Sequence, residues 1–323
     1  MVAVHFLFII DPLDTLNLTT ETSLLLIEEM ARRGHRASVA LLADLYLSER
    51  GAWVRTQGIS VDLGRRPFYQ LEAPADHTFS DFDLVLMRKD PPVDAEYIFA
   101  TFILERAREQ VPVVNDPVSL RLVNEKLLPL QFAEFAPPTL VSNQPERLQS
   151  FLDTHERVVL KLLDECSGRG IEVVDPRQAA RIPEYVAAHG GRHVMAQKFL
   201  SGVSAGDKRI LVLEGEPIGA VNRVPQSPAH LANIHQGARI EATTLTAREQ
   251  AIIAAVKPLL LQHRLWLAGI DVIGGYLTEI NITSPSAARQ INQVSSSHIE
   301  VQMVDSLERL ARSRSASRRD QVA

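Results

Sequence analysis

The sequence predicts an α/β fold over its first third and α+β structure beyond it. Buried apolar strands alternate with helical patterns from the start of the chain, a proline pair at Pro137-Pro138 breaks that rhythm, and short strands and hairpins follow. At 323 residues the chain exceeds one typical domain, and its 46% hydrophobic content is ample for two or three packed domains.

The run from Met1 to Ile10 lacks the basic start of a signal segment and passes straight into Asp11-Pro12, so it reads as a buried first strand. A helical pattern from Thr20 to Arg33 and a strand from Arg36 to Leu42 complete a βαβ opening. Gly51 to Thr78 carries weaker signals and reads as an excursion between strands. A strand at Asp83 to Met87, a helix at Ala95 to Glu109 and a short strand at Val111 to Val114 extend an open parallel sheet. A helix is expected at Leu127 to Phe135, ending at the boundary Ala136-Pro137-Pro138. Beyond it, Thr139 to Ser142, a helix at Glu146 to His155, strands at Arg157 to Leu162 and Ile171 to Val174, a further helix, and a strand at Val194 to Leu200 make a small α+β module. Lys208 to Leu213 and Pro217 to Asn222 read as a hairpin turned at Glu214-Gly215-Glu216, and Thr246 to His263 as a long helix. The segment Arg312 to Arg319, rich in Arg and Ser, is low in complexity and is expected to fray. No internal repeat is visible.

The most informative stretch is Asp271-Val272-Ile273-Gly274-Gly275-Tyr276-Leu277-Thr278-Glu279-Ile280-Asn281, a hairpin carrying oxygen ligands. Side chains alternate along a strand, so Glu279 and Asn281 share one face. A three-residue turn at Gly274-Gly275-Tyr276 would set Asp271 opposite Glu279 on that face, whereas a two-residue Gly-Gly turn would split them. Two carboxylates and an amide oxygen suit a hard cation such as magnesium, which takes its other ligands from water and phosphates and so implies a nucleotide. An ordinary hairpin with a polar outer face carries the same residues.

Composition excludes several classes. A net charge of −5 with scattered Lys and Arg argues against a nucleic-acid partner, since phosphate contacts need clustered cations. The single cysteine, Cys166, excludes an internal disulfide framework and fits a reducing cytoplasm. No apolar run approaches membrane-spanning length, and no G-x-G-x-x-G follows the first strand, which removes a dinucleotide oxidoreductase.

Several separated segments then fall into one pattern: Ile10-Asp11-Pro12 with Asn17, Met87-Arg88-Lys89-Asp90-Pro91-Pro92, Asn124-Glu125-Lys126, Leu160-Lys161, Ala196-Gln197, Gly206-Asp207-Lys208-Arg209, and Leu277-Thr278-Glu279-Ile280-Asn281-Ile282-Thr283-Ser284-Pro285. In this order, over almost the whole length, they resemble the bacterial glutathione synthetases of the ATP-grasp superfamily. The resemblance implies an ATP-grasp fold: an N-terminal open parallel α/β substrate-binding domain (1–123), a central lid (124–202), a C-terminal antiparallel catalytic sheet (203–312) and a tail (313–323). It implies ATP and Mg2+, with Mn2+ able to serve in its place, and small-molecule substrates, γ-glutamylcysteine and glycine, joined through an acyl phosphate. It implies that Lys126 and Lys161 contact the nucleotide phosphates, that Gln197, Lys198, Phe199 and Leu200 form the adenine edge, and that Asp207 sits near the ribose. Arg209 would face the reacting phosphate or carboxylate, while Asp271, Glu279 and Asn281 would hold the metal and Asn281 also touch the nucleotide. Asn17, Arg88, Ser284 and Arg289 would bind the peptide, with Arg88 able to make a two-pronged contact to a carboxylate. A homo-oligomer and a cytoplasmic location are further implications.

Two departures bear on activity. The lid loop, where the family has Asp-Gly-x-Gly-Gly, reads Asp164-Glu165-Cys166-Ser167-Gly168-Arg169-Gly170, placing Glu165 where backbone amides should receive an anion, with Arg169 near enough to offset it. Leu162 stands where the family favours proline. After Arg223-Val224-Pro225-Gln226 the family has Arg-Gly-Asn and small residues, but this chain has His230, Leu231 and His235. Leucine cannot neutralise phosphate charge as arginine does. These departures keep open a ligase acting on a different carboxylate or amine, and a catalytically impaired homologue that binds ATP or peptide.

Overall fold

The computed structural model describes the backbone of residues 3–165, 168–226 and 238–322, with side chains as far as Ser313. Cys166, His230, Leu231 and His235 lie outside the described residues. The first strand, β1 (His5–Ile9), alternates as its period demands: Phe6, Phe8 and Ile10 enter one core while Leu7 and Ile9 enter another. Helix α1 (Thr22–Arg32), capped by the Glu21 carboxylate on Ser23 N at 2.6 Å, packs its Leu24, Ile27 and Met30 face on the first of these cores. Strand β2 (Arg36–Ala40) then pairs in parallel with β1. The weakly patterned excursion is built of strands: β3 (Leu45–Ser48), the long β4 (Gly51–Val61), β5 (Tyr69–Leu71) and β6 (Ala75–Thr78). Strand β4 pairs antiparallel with β2 and with the other three, so it widens the sheet instead of merely linking its strands. Strand β7 (Leu84–Met87), helix α2 (Ala95–Ala107) and β8 (Val113–Val114) complete the order β3-β4-β2-β1-β7-β8, parallel from β2 to β8.

Helix α3 (Pro117–Leu122) was not foreseen, although Asp116 caps it with bonds from Val118 N at 3.0 Å and Ser119 N at 3.2 Å and Pro117 opens it. The helix expected at Leu127 to Phe135 is instead a single 3-10 turn at Leu128–Gln131. Pro129 at its start removes a backbone donor, and the prolines at 137 and 138 block continuation. The central module is a sheet of order β11-β10-β12-β9, formed by β9 (Thr139–Ser142), β10 (Val158–Leu162), β11 (Glu172–Val174) and β12 (Val194–Lys198) and backed by α4 (Pro145–His155) and α5 (Arg181–Ala188). It owns a separate core around Leu148, Leu152, Leu160, Ile182 and Val194.

The last sheet runs β15-β14-β13-β16-β17, from β13 (Asp207–Leu213), β14 (Glu216–Val224), β15 (Arg239–Ala242), β16 (Leu267–Ile273) and β17 (Tyr276–Asn281). Helix α6 (Ala247–Gln262) opens with a reciprocal Thr246–Glu249 capping box, and α7 (Ala288–Ser295) and α8 (Ile299–Val322) close the chain. The Arg/Ser segment expected to fray is helical in its backbone as far as Val322; Ala and Arg favour helix, and no Gly or Pro interrupts them.

Helix α8 fastens the first and last sheets together. Arg33 reaches Asp305 at 2.5 Å, Glu308 at 2.9 Å and the Val301 carbonyl at 3.0 Å. Val4 N donates to His35 Nδ1, which leaves Nε2 to donate to Glu308 at 2.9 Å. On the other side Trp266 Nε1 donates to Ser306 Oγ at 2.7 Å, and Ser306 and Arg309 both reach Glu214. Both large cores also mix residues of the first and last sheets, as Leu7 with Ile270 and Phe8 with Leu211. Burial raises the pKa of Glu308, but its bonds from His35 and Arg33 outweigh this and hold it below the ordinary value of 4.5. Glu308→Ala should therefore lower stability at neutral pH by about 1–3 kcal/mol, the cost of orphaning buried donors, read as a lower urea midpoint. Because the folded pKa is depressed, this contribution is present above pH 4.5 and fades as pH falls through the folded value, so the gap between wild type and variant should narrow in acid.

Candidate active site

The β16–β17 hairpin reaches the expected pairing by another route. Gly274 and Gly275 have φ of 56° and 81°, the two left-handed residues of a two-residue turn, and Ile273 pairs with Tyr276. Such a turn alone would put Asp271 and Glu279 on opposite faces. A β-bulge restores them: Val272 faces Leu277, the next pair is Asp271 with Glu279, and Thr278 is the extra residue. The Thr278 hydroxyl donates to the Asp271 carbonyl at 3.1 Å and fastens the bulge.

Across the other edge of β16, Asp271 pairs with Arg209 of β13, so Arg209, Asp271 and Glu279 form one row over three strands. Gly269 pairs with Asn281 in the next row. A Cβ at Gly269 would stand 3.1 Å from Arg209 Cδ and 3.2 Å from Nη1; the missing side chain is the floor on which the guanidinium lies. Arg209 grips Asp271 with two bonds, Nε to Oδ1 at 2.5 Å and Nη2 to Oδ2 at 2.8 Å, and its Nη1 donates to the Ser286 carbonyl at 3.1 Å. Arg223 of β14 bridges Asp271 at 3.0 Å and Asp207 at 2.6 Å. Burial pushes both carboxyls up. At Asp271 the two guanidiniums reverse this and hold it at about 2, whereas Asp207, with Asp271 as a charged neighbour, is pushed up to about 6. Asp207 Oδ1 is buried without a hydrogen-bond partner among the described residues.

Asn281 spends its amide N–H groups on Gly269 O and Asp271 Oδ2, both at 3.2 Å, leaving its oxygen for a ligand. Lys126 Nζ lies 3.3 Å from Glu279 and donates to the Glu165 carbonyl. Lys161 Nζ donates to Gln197 Oε1 at 2.9 Å; burial lowers its pKa while Glu279, Asp207 and Asp271 favour its charged form. These groups line a cleft of about 260 Å³ between the central module and the last sheet. Gln197, Lys198, Phe199 and Leu200 all line it, and Val159, Ile171, Val173 and Ile273 supply flat apolar walls suited to a purine. The Arg157 guanidinium covers the Phe199 ring at 3.9 Å. Glu165 does not leave a bare charge in the loop: its carboxylate accepts from Arg169 Nε at 2.8 Å, and Arg169 also donates to the Pro91 carbonyl at 3.2 Å.

Of the four expected peptide contacts, only Ser284 lines the cleft. Asn17 is exposed and uses its side chain locally, accepting from Thr19 N at 3.0 Å and Thr19 Oγ1 at 2.7 Å in an Asx turn before α1. Arg88 is buried below the cleft, donating to Ser23 Oγ and to the Pro285 carbonyl, both at 3.1 Å, so two of its donors hold backbone and helix; its Nη1 has no partner among the described residues. Arg289, on α7, stands outside the lining, with a buried Nη1 likewise unpartnered among the described residues. Sequence reasoning assigned no role to Arg223, Gly269, Thr278 or Asp90, which lines the cleft. Arg223 faces Asp207 across the β13–β14 hairpin, a pairing visible only once the bulge at Leu211–Val212 fixes the register.

Among the described residues no group of three or more His, Cys, Asp or Glu could hold a metal by itself. Glu279 and the Asn281 oxygen are placed for a cation that completes its shell with phosphate and water, whereas both Asp271 oxygens already accept from Arg209, Arg223 and Asn281, so Asp271 would join the set by exchanging a donor. An apolar slot, two lysines and this oxygen set, between a separately folded module and an antiparallel sheet, define an ATP-grasp ligase, an ATP-dependent enzyme that forms C–N bonds. Models of the prokaryotic glutathione synthetase N-terminal domain and ATP-grasp domain match residues 4–121 and 125–296. The chain is 40% identical over 307 residues to the glutathione synthetase of Gloeobacter violaceus, covering 93% of this chain and 95% of that one. It is 38% identical over 305 residues to that of Escherichia coli O127:H6, with coverage of 93% and 96%. It belongs to the prokaryotic glutathione synthetase family. In fold it is similar to D-cycloserine synthetase DcsG, with a TM-score of 0.67, 18% identity and coverage of 94% and 99%. It is similar also to the ATP-grasp ligase PsnB complexed with a phosphomimetic precursor variant, Mg and ADP, with a TM-score of 0.62, 17% identity and coverage of 94% and 98%.

The Gly269 floor makes a sharp prediction. Gly269→Ala would displace the Arg209 guanidinium by a few tenths of an ångström from Asp271, and turnover measured as ADP release should fall about tenfold while the melting temperature changes little.

Proposed function

We propose that this protein joins the cysteinyl carboxylate of γ-glutamylcysteine to the amine of glycine at the expense of ATP. One observation carries the reading: Lys126, Lys161, Asp271, Glu279 and Asn281 all line a single cleft of about 260 Å³. Joining a carboxylate to an amine in water is uphill, so the γ-phosphoryl group is first transferred to the carboxylate. Glycine then attacks the acyl phosphate through its nitrogen and phosphate leaves; no nucleophilic side chain is required. The in-line transfer spreads negative charge over oxygens, and stabilising that charge is the protein's main task.

Lys126 and Lys161 bind the phosphates, and Arg209, held flat by Asp271 and Gly269, faces the transferring group. Gln197 to Leu200 meet the adenine and Asp207 the ribose. Asp271, Glu279 and Asn281 would hold magnesium, which when bound neutralises phosphate charge. Ser284 meets the peptide, and the Nη1 groups of Arg88 and Arg289, buried without a partner among the described residues, are donors of the kind its carboxylates need. The reaction belongs in the cytoplasm, where ATP is made and where Cys166 stays reduced.

ADP release by the purified protein with ATP and Mg2+ should depend on γ-glutamylcysteine and glycine together. Turnover only with another acid and amine would replace the substrate assignment, and nucleotide binding without any turnover would replace the enzyme with a binding protein. Asp271→Asn and Glu279→Gln should each lower kcat by about 100-fold or more in a folded protein; a near-normal rate in either removes the metal assignment.

A further inference from the structure

The segment Asn124-Glu125-Lys126 enters the proposed mechanism only through its lysine, yet the most heavily bonded member is the glutamate. A single oxygen, Glu125 Oε1, accepts three hydrogen bonds: from Ile282 N at 2.7 Å, Thr283 N at 2.8 Å and Thr283 Oγ1 at 2.9 Å. Its backbone carbonyl takes a fourth, from Ile280 N at 3.0 Å. The side chain is buried, at 8% exposure. Ile280 and Ile282 bracket Asn281, and Ile280 directly follows Glu279, so the carboxylate and carbonyl of Glu125 together grip the strand end that presents the cation ligands. These donors also stand just before the loop whose Pro285 and Ser286 carbonyls are held by Arg88 and Arg209.

The neighbours on either side complete the arrangement. Asn124 donates from Nδ2 to the Leu163 carbonyl of the central module at 2.8 Å, and its Oδ1 accepts from Lys126 N at 3.0 Å and Leu127 N at 3.2 Å. Three consecutive residues thus tie the central module, grip the end of β17, and aim an ammonium group at Glu279.

We propose that Glu125 is a positioning residue for the ligase reaction: by collecting Ile282 and Thr283 on one oxygen it fixes the distance between the phosphate-binding Lys126 and the cation-binding pair Glu279 and Asn281. The role is geometric, since one acceptor atom serves all three donors, and a neutral amide oxygen in the same place performs it equally. Asp keeps the charge but is one methylene too short to reach the strand. This rests on the location of the nucleotide given above and on nothing about the acid or amine.

The experiment is equilibrium titration of the purified full chain with the non-hydrolysable analogue AMP-PNP, with Mg2+ and with EDTA, alongside thermal melts. Glu125→Asp and Glu125→Ala should weaken Mg2+-dependent AMP-PNP binding by about tenfold or more, the usual effect of removing a group that orients a metal ligand, and should raise the Mg2+ half-saturation. Binding in EDTA should change much less. Glu125→Gln should bind as the wild type does. The order Gln above Asp is what a purely electrostatic role would not produce, and a loss confined to Mg2+-dependent binding, with the melt of the Asp variant near that of the wild type, is what a merely stabilising role would not produce. Equal binding by Asp and Gln variants, or Asp above Gln, overturns the proposal, and so does an Ala variant that binds like wild type. Should the Ala variant fail to fold, the Asp and Gln pair decides. A wild type that binds no AMP-PNP would instead overturn the nucleotide site itself, so the two failures are separable.

Discussion

The site is organised around a buried carboxylate held by two guanidiniums. Taking Asp271, Arg209 and Arg223 out of water costs more than an isolated ion pair returns, and apolar residues of the same volume would stabilise such an interior at least as well. What the network supplies is direction. Arg209 is clamped flat, Arg223 is stretched between two aspartates, and Asp271 is kept ionised at any pH near neutrality. A charged, oriented row is costly before a ligand arrives and is already aimed when one does, which is the condition electrostatic catalysis requires.

That row lies between two separately packed bodies. The first and last sheets share two continuous cores and are fastened by α8 through Arg33, His35, Trp266 and Glu214. The central module keeps a core of its own and meets the rest through few polar links, among them Lys126 with Glu165, Asn124 with Leu163, and Arg169 with Pro91. Every cation that would meet phosphate already has a protein partner: Lys126 has Glu279, Lys161 has Gln197, Arg209 has Asp271. Nucleotide binding would therefore be an exchange of partners, within the central module for Lys161 and Gln197, within the last sheet for Arg209 and Asp271, and between the two only for Lys126.

Much of this was legible in the sequence because it rests on period and order. The alternation of Phe6 to Ile10 and the βαβ opening follow from spacing alone; the pairing of Asp271 with Glu279 was legible only as one of two turn lengths, and the ordered motifs picked out Lys126 and Lys161, which the fold brings to one cleft. What escaped depended on register or on distant partners. Strand β4 pairs with four others and alternates in burial, but Gly51, Gly58 and the buried polar Thr56 blur that alternation in the sequence. Pro129 turned an apolar helical pattern into a single tight turn. Asn17 and Arg88 were assigned by likeness; the Asn17 side chain is used in an Asx turn, and Arg88 spends Nε and Nη2 on Ser23 and Pro285, leaving only Nη1 without a partner among the described residues. Arg223 could not be matched to Asp207 without knowing where the hairpin bulges.

The extra threonine in the last hairpin separates the turn from the ligands. The bulge at Thr278, and not the length of the Gly274-Gly275 turn, sets Asp271 opposite Glu279, so a residue gained in the turn lengthens the loop and leaves every pair beyond it in place. The tip of the hairpin is thereby free to change while the phase of Glu279 and Asn281 is kept.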